Sequence, residues 1–124
     1  CTDFDRDGDI DLLIQQFNKQ TLLYINDAST SSENNYLGIR LEGKKGNPHA
    51  EGARIIVEVS DKKQTREIRI GSNYLSQNAA EALFGLGKHD TVDTISIFWD
   101  GVKQSAPQII SSVKANQWLI VDRP

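Results

Sequence analysis

The chain has 124 residues, a formal net charge of −3 and 38% hydrophobic residues. This balance fits one folded domain, or one domain plus a fragment, and excludes a wholly disordered chain. No apolar run is long enough for a transmembrane helix, and the acidic balance argues against a nucleic-acid binder, which needs a clustered basic surface. The chain has no methionine, even at position 1, so we expect it to be a piece of a longer protein.

Short apolar runs alternate with turn residues along the whole chain. Two short strands are predicted at 12–16 and 21–25, and the small polar residues of 28–35 have the composition of a linker. Beyond the linker, apolar residues at every second position predict half-buried strands. These predicted strands are 37–41, 53–59, 63–70, 94–99 and 117–122.

Turn signals complete this pattern. Asp61 and Lys62 are predicted to form a two-residue hairpin turn, and Asp100 with Gly101 predicts another, followed by a strand at 102–104. Only 76–83 carries a helical signal, enough for a turn or two. We therefore predict an all-β fold, an antiparallel β-sandwich or barrel with a short β-hairpin at the N-terminus. The predicted organisation is a first unit at 1–28, a linker at 29–35 and a β domain at 36–124.

The net negative charge of the chain comes from one short segment, where aspartate occupies every second position of a tight loop: Asp3, Asp5, Asp7, Asp9 and Asp11. Calcium takes six to eight oxygen ligands, and such a loop can point alternate side chains at one centre. Gly8 permits the sharp turn that lets a backbone carbonyl join in. We predict a Ca²⁺ site with backbone ligation by Asp9 and side-chain ligation by the other four aspartates. Ile10 is expected to anchor the loop to a core.

This loop is not an EF-hand, because that motif needs a bidentate glutamate at position 12, where this chain has Ile14. Water or another loop must then complete the coordination shell. A solvated acidic turn without an ion is the alternative interpretation, and magnesium is a second candidate with stricter geometry. A structural role is favoured over catalysis, because catalytic carboxylates usually come from separate segments and act with a general base.

Two parts of the chain carry family resemblances. The pattern D-x-D-x-D-G-x-x-D-L from Asp3 to Leu12, followed by an apolar strand, resembles the calcium loop that ends an FG-GAP/VCBS repeat. The remainder resembles an ASPIC/UnbV domain of the cartilage acidic protein-like family. The motifs that carry this second resemblance are N-Y-L-G-I-R-L-x-G at 35–43, Y-L-S-Q-N at 74–78, F-G-L-G at 84–87 and V-D-x-I-x-I-x-W at 92–99.

These resemblances imply more than the residues do alone. FG-GAP/VCBS repeats are blades of β-propellers, so the chain's own upstream propeller blades become expected partners. The ASPIC/UnbV family implies a secreted, cell-surface or periplasmic location and a non-enzymatic interaction or adhesion module. Its partner would be an unidentified protein or glycan at a cell surface or in a matrix.

The uncharged segment Tyr74, Ser76, Gln77 and Asn78 is the second candidate site. A tyrosine and amides can bind sugars or peptides by stacking and hydrogen bonding, although they can equally satisfy buried loop backbone. Hydrolytic catalysis is disfavoured, because Ser76 lacks the G-x-S-x-G surroundings of a nucleophile elbow. We expect no enzymatic activity. Two further roles stay open: a purely structural cap of the propeller, or a carbohydrate-binding accessory domain.

Overall fold

The computed structural model describes residues 1–28, 33–99 and 106–124, and within these ranges every regular element is a β-strand. The all-β prediction is therefore confirmed. The strands of the described residues, in chain order, are β1 (Leu12–Ile14), β2 (Leu22–Tyr24), β3 (Asn35–Glu42), β4 (Arg54–Val59), β5 (Lys62–Glu67), β6 (Glu81–Gly87), β7 (Thr91–Phe98), β8 (Gln108–Lys114) and β9 (Gln117–Asp122).

The strands form three sheets in a sandwich-like arrangement, with no closed barrel among the described residues. A four-stranded antiparallel sheet has the order β5-β4-β7-β8, and a three-stranded sheet has the order β6-β3-β9. The third sheet is the isolated hairpin β1-β2. One pairing departs from the predicted antiparallel pattern, because β9 lies parallel to β3. Alternation of apolar residues predicts which face of a strand is buried, but not whether the neighbouring strand runs parallel or antiparallel to it.

The hydrophobic core lies between the two larger sheets. Strands β3 and β6 contribute Leu37, Ile39 and Phe84, all fully buried, and β4 and β7 contribute Ile55 and Ile95 from the other side. All of these residues except Phe84 come from the alternating positions on which strands were predicted. Burying such large side chains is the main source of stability for a sheet pair of this size.

Two local predictions of secondary structure are wrong. The prediction of a helical turn or two at 76–83 is wrong, because Glu81–Gly87 forms β6. This strand buries Ala82, Phe84 and Leu86 in the core. Burial of an alternating apolar face outweighs the modest helix propensity of alanine and glutamate. The hairpin turn between β4 and β5 lies at Ser60 and Asp61, one residue before the predicted position. The predicted turn at Asp100 and strand at 102–104 lie outside the described residues.

The N-terminal hairpin differs from the sandwich in being apolar but exposed. Leu13 is 59% exposed and Phe17 91%, and Ile10, the expected core anchor of the loop, is 48% exposed. That anchoring prediction is wrong, because β1 and β2 pair only with each other in the described chain and leave no core beneath Ile10. An isolated two-stranded hairpin is marginally stable by itself, so its contacts with the sandwich are important. The described residues include no helix suited to crossing a membrane.

Candidate metal centre

The aspartate loop, residues 3–11, is closed at its base by an isolated bridge. The backbone N–H of Asp11 donates to the carbonyl of Thr2 over 2.8 Å. Two positive backbone φ angles, 63° at Arg6 and 103° at Gly8, turn the chain back on itself between these residues. This path brings alternate side chains towards the inside of the loop, as the spacing predicts.

Four of the five predicted aspartates converge. One carboxylate oxygen each from Asp3, Asp5 and Asp11 lies within 4.8 Å of the others. A second group has the same spacing and joins Asp5 and Asp7 to Asp27. Asp5 belongs to both groups, so the two overlapping groups together contain five carboxylates. The carboxylate of Asp9 belongs to neither group, which agrees with the backbone role predicted for this residue but does not test it.

Asp27 lies in this cluster but was not among the ligands predicted from the sequence. It follows β2, and the antiparallel register that pairs Leu12 with Tyr24 returns the chain from the far end of the hairpin to the loop. The backbone N–H of Asn26 consequently donates to Asp11 over 2.9 Å. The hairpin prediction contained this signal, because an antiparallel pair that starts after the loop must end beside it. Asp27 thus supplies a carboxylate from another segment, one of the two ways in which the predicted coordination shell would be completed.

Asp3 and Asp11 are the buried charged residues of the described chain, at 5% and 2% exposure. Each has several hydrogen-bond donors, as a buried charge requires. The Oδ2 atom of Asp11 accepts from the N–H of Phe4 over 2.6 Å. Asp3 accepts from the N–H groups of Asp7 and Gly8, both over 3.1 Å. These bonds fix the two carboxylates before any ligand is considered.

The electrostatics of the cluster divide its members. The backbone N–H groups of Asn26 and Phe4 lower the pKa of Asp11, so this carboxylate is firmly ionised. Desolvation raises the pKa of Asp5, and the negative charges of its aspartate neighbours raise it further. Asp5, the member common to both groups, therefore carries the repulsion of the cluster. A cation placed there would offset the part of that shift that comes from the neighbouring negative charges.

Two aromatic side chains of the sandwich lie against the loop. The Tyr36 hydroxyl donates to the carbonyl of Arg6 over 2.8 Å, and the Trp118 Nε1 donates to Asp3 Oδ2 over 3.2 Å. The Arg6 guanidinium lies 5.1 Å from the centroid of the Trp118 ring. Both tryptophans lie in strands predicted from the sequence, at 94–99 and 117–122, and a tryptophan in such a half-buried strand is expected in the core. Trp99 is buried there, whereas Trp118 is only partly buried and contacts the loop.

The second candidate segment is fully exposed. Tyr74 is 95% exposed, and Ser76, Gln77 and Asn78 are exposed as well, so a role in satisfying buried backbone is not observed there. The Cys1 amine donates to Asn78 Oδ1 over 2.9 Å. A groove of about 970 Å³ lies between this segment and the hairpin. Its lining includes Ser76, Gln77, Asn78, Leu75, Leu13 and Phe17.

The family model described as ASPIC and UnbV matches residues 43–124. A search of curated proteins found no match. The matched range contains strands β4 to β9 and begins directly after β3. The aspartate loop and the hairpin lie outside it, so their resemblance to an FG-GAP/VCBS repeat stays a prediction, as do the domain boundaries. The observed β3 begins at Asn35, the last residue of the predicted linker.

Proposed function

The chain belongs to the ASPIC and UnbV family, and from this premise we propose that it is a non-catalytic interaction module whose aspartate loop binds calcium. The module would act outside the cytoplasm, as an adhesion or binding unit at the end of a larger propeller protein. The end of an FG-GAP/VCBS repeat would supply its calcium loop. Only the family membership is established; the ion, the location and the partner are parts of the proposal.

The observation that carries the calcium proposal is the convergence of carboxylates from two segments. Asp3, Asp5 and Asp11 offer oxygens within 4.8 Å of one another, and Asp5 forms a second group of the same spacing with Asp7 and Asp27. Hard oxygen ligands in this number suit Ca²⁺, and flexible side chains from a loop suit its variable geometry better than the strict octahedron of Mg²⁺. Desolvation and then the neighbouring negative charges raise the pKa of Asp5, and the charge of the ion would offset the second of these causes.

Calcium at this position would act on stability rather than on chemistry. Because the unfolded chain has no such site, binding energy adds to the folding free energy. A ligand at one hundred times its Kd stabilises the folded state by about 2.7 kcal/mol. For a chain of this size that corresponds to a rise in Tm on the order of 10 °C.

The interaction role is supported by where the apolar and amide side chains lie. Tyr74 and Leu75 are 95% and 90% exposed, and nothing in the packing of the sandwich requires them there. Exposed tyrosine with neighbouring amides is the chemistry of a glycan or peptide contact. The exposed apolar residues of the hairpin, among them Leu13 and Phe17, favour burial against further propeller strands in the longer protein.

Thermal unfolding of the chain in excess calcium and in excess chelator tests the cation site. We expect Ca²⁺ to raise the Tm, Mg²⁺ to raise it less, and Asp5→Ala to abolish the rise. Asp9→Ala is the matched control, because it removes the same charge from the same loop and leaves the predicted carbonyl ligand in place. It should keep the calcium response.

Calorimetry distinguishes the remaining outcomes. Heat of calcium binding that disappears in Asp5→Ala supports a site at the loop. Equal loss of the response in Asp5→Ala and Asp9→Ala would point to diffuse attraction by net charge and contradict a defined site. No heat and no shift in Tm would reject calcium binding by this chain.

A further inference from the structure

The contacts between the aspartate loop and the sandwich are not required for ligation, yet they involve a proposed ligand. We propose that the loop docks on Tyr36 and Trp118 in a cation-dependent manner, so that calcium fixes the hairpin β1–β2 against the sandwich. This inference rests on the proposed calcium site. It adds an intramolecular partner surface and a mechanical consequence of binding.

The two aromatic residues come from neighbouring strands. Tyr36 lies on β3 and Trp118 on β9, which pair in parallel. Trp118 donates to Asp3 over 3.2 Å, and Tyr36 donates to the carbonyl of Arg6 over 2.8 Å. The loop is therefore attached at two points three residues apart. The guanidinium of Arg6 over the Trp118 ring, 5.1 Å from its centroid, adds a cation–π contact to the same surface.

Glycines make this close approach possible on both sides. A Cβ atom on Gly8 would overlap the ring of Tyr36, and a Cβ atom on Gly38 would overlap the ring of Trp118. The loop backbone thus reaches the Tyr36 ring directly, and the Trp118 ring rests directly on β3. Each ring therefore packs directly against backbone atoms, as in a close-packed interior, and the contact is more than two side chains that meet at a surface.

Asp3 connects docking with cation binding. Its carboxylate accepts the Trp118 hydrogen bond, and it also belongs to the group within 4.8 Å of Asp5 and Asp11. Without a cation these negative charges repel one another and favour an opened loop, which moves Asp3 away from the indole. A cation removes the repulsion and holds Asp3 in reach. By reciprocity, the contacts that order Asp3 strengthen cation binding by the same factor.

The two tryptophans of the chain allow a direct test by NMR of the indole N–H signals in the isotopically labelled protein. Trp118 donates to the loop, whereas Trp99 donates to Gln108 Oε1 over 2.9 Å from the edge of the core and serves as the internal control. We expect calcium to shift the Trp118 signal and to slow its hydrogen exchange several-fold, and to leave the Trp99 signal unchanged.

Matched substitutions give the reciprocal measurement. Trp118→Phe keeps an aromatic ring above Gly38 but removes the donor to Asp3. It should weaken the calorimetric Kd for calcium by about tenfold or more, the effect expected for one charge-assisted hydrogen bond. Trp99→Phe removes the other indole N–H and should lower the Tm without changing that Kd.

The outcomes separate the two proposals. Calcium heat that depends on Asp5, together with an unchanged Trp118 signal and an unchanged Kd in Trp118→Phe, would overturn the docking proposal and leave the calcium site intact. Equal responses of both indoles would also overturn it, because they would indicate a global change. Absence of calcium heat in the unsubstituted chain would overturn the calcium site and the docking proposal together.

Discussion

Gly38 and Trp118 are direct partners in the parallel pairing of β3 with β9, and the indole ring occupies the space that a side chain at position 38 would need. A residue in the middle of a strand is normally selected for packing, and glycine weakens a strand interior. Here the absence of a side chain lets the ring lie flat on the backbone of β3. That placement directs the indole N–H towards Asp3, and so links the sheet to the aspartate loop.

Gly38→Ala is expected to displace the Trp118 ring. The added Cβ meets the rigid indole rather than a flexible chain, so we expect a loss of about 1–3 kcal/mol of folding free energy, as for other overpacked sites. Denaturant unfolding of the variant measures it. Gly85→Ala on β6 is the control, because a Cβ there meets nothing within 4 Å. Equal stability of the two variants would contradict the proposed steric role of Gly38.

Gly8 combines a backbone requirement with a steric one, and Gly46 allows the two to be separated. Their φ angles are +103° and +101°, but a Cβ atom would overlap the Tyr36 ring only at Gly8. Gly46→Ala should therefore cost backbone strain alone, about 1–2 kcal/mol. Gly8→Ala should cost clearly more in the same denaturant unfolding experiment. Adding Tyr36→Ala to Gly8→Ala should recover part of the extra loss of folding free energy, because the overlapping ring is then absent. A double variant whose loss equals the sum of the two single losses would argue against the contact.

When calcium is removed, replacement by asparagine should change the Tm in opposite directions at Asp5 and at Asp11. The raised pKa of Asp5 means that its contribution to stability is full below the unfolded value of 3.8 and is lost as the pH rises through the higher folded value. The lowered pKa of Asp11 means that its contribution is full above 3.8 and is lost as the pH falls through the lower folded value. At pH about 7, both carboxylates are ionised in the unfolded chain.

In chelator at neutral pH, Asp5→Asn should therefore raise the Tm and Asp11→Asn should lower it. The advantage of Asp5→Asn over the unsubstituted chain should shrink as the pH falls towards 3.8. In excess calcium Asp5→Asn should instead lower the Tm relative to the unsubstituted chain. The variant has lost a ligand, so its affinity for calcium falls by at least about tenfold. Thermal unfolding in the two buffers measures both effects, and a stabilising effect of Asp5→Asn in calcium would contradict ligation by Asp5.

The sequence predicts the sandwich well because its core residues obey a local rule. Val57 and Val59, or Ile95 and Ile97, are each separated by one polar residue, and each pair is buried. The parallel partner of β3 has no such local signal, since it is contributed by β9 from the far end of the chain. The strand β6 was not predicted for a similar reason. Its alternating apolar residues favour a strand over a helical turn only when they pack beside β3, and the local sequence does not show that contact.

The candidate site divides along the same line. The spacing of the loop aspartates and the turn at Gly8 are local, and the structure brings four predicted side chains together. Asp27 depends on the register of the hairpin, and Trp118 reaches Asp3 from a position 115 residues later in the chain. A tryptophan in an alternating strand is expected in the core, and only the position of the loop beside β9 makes Trp118 part of the site.

The exposed segment at Tyr74 gives a test that separates binding from folding. Because Tyr74 is 95% exposed and Leu75 90%, Tyr74→Ala and Leu75→Ser should change the folding free energy by no more than about 0.5 kcal/mol. Phe84→Ala, at a fully buried position, should cost about 3–5 kcal/mol in the same denaturation experiment.

If the segment is a contact surface, both exposed variants should lose binding in a glycan and protein array on which the unsubstituted chain binds, and Gly85→Ala should bind normally. Variants that bind normally would move the interaction site elsewhere. Variants that unfold would instead assign the segment a structural role that its exposure does not predict.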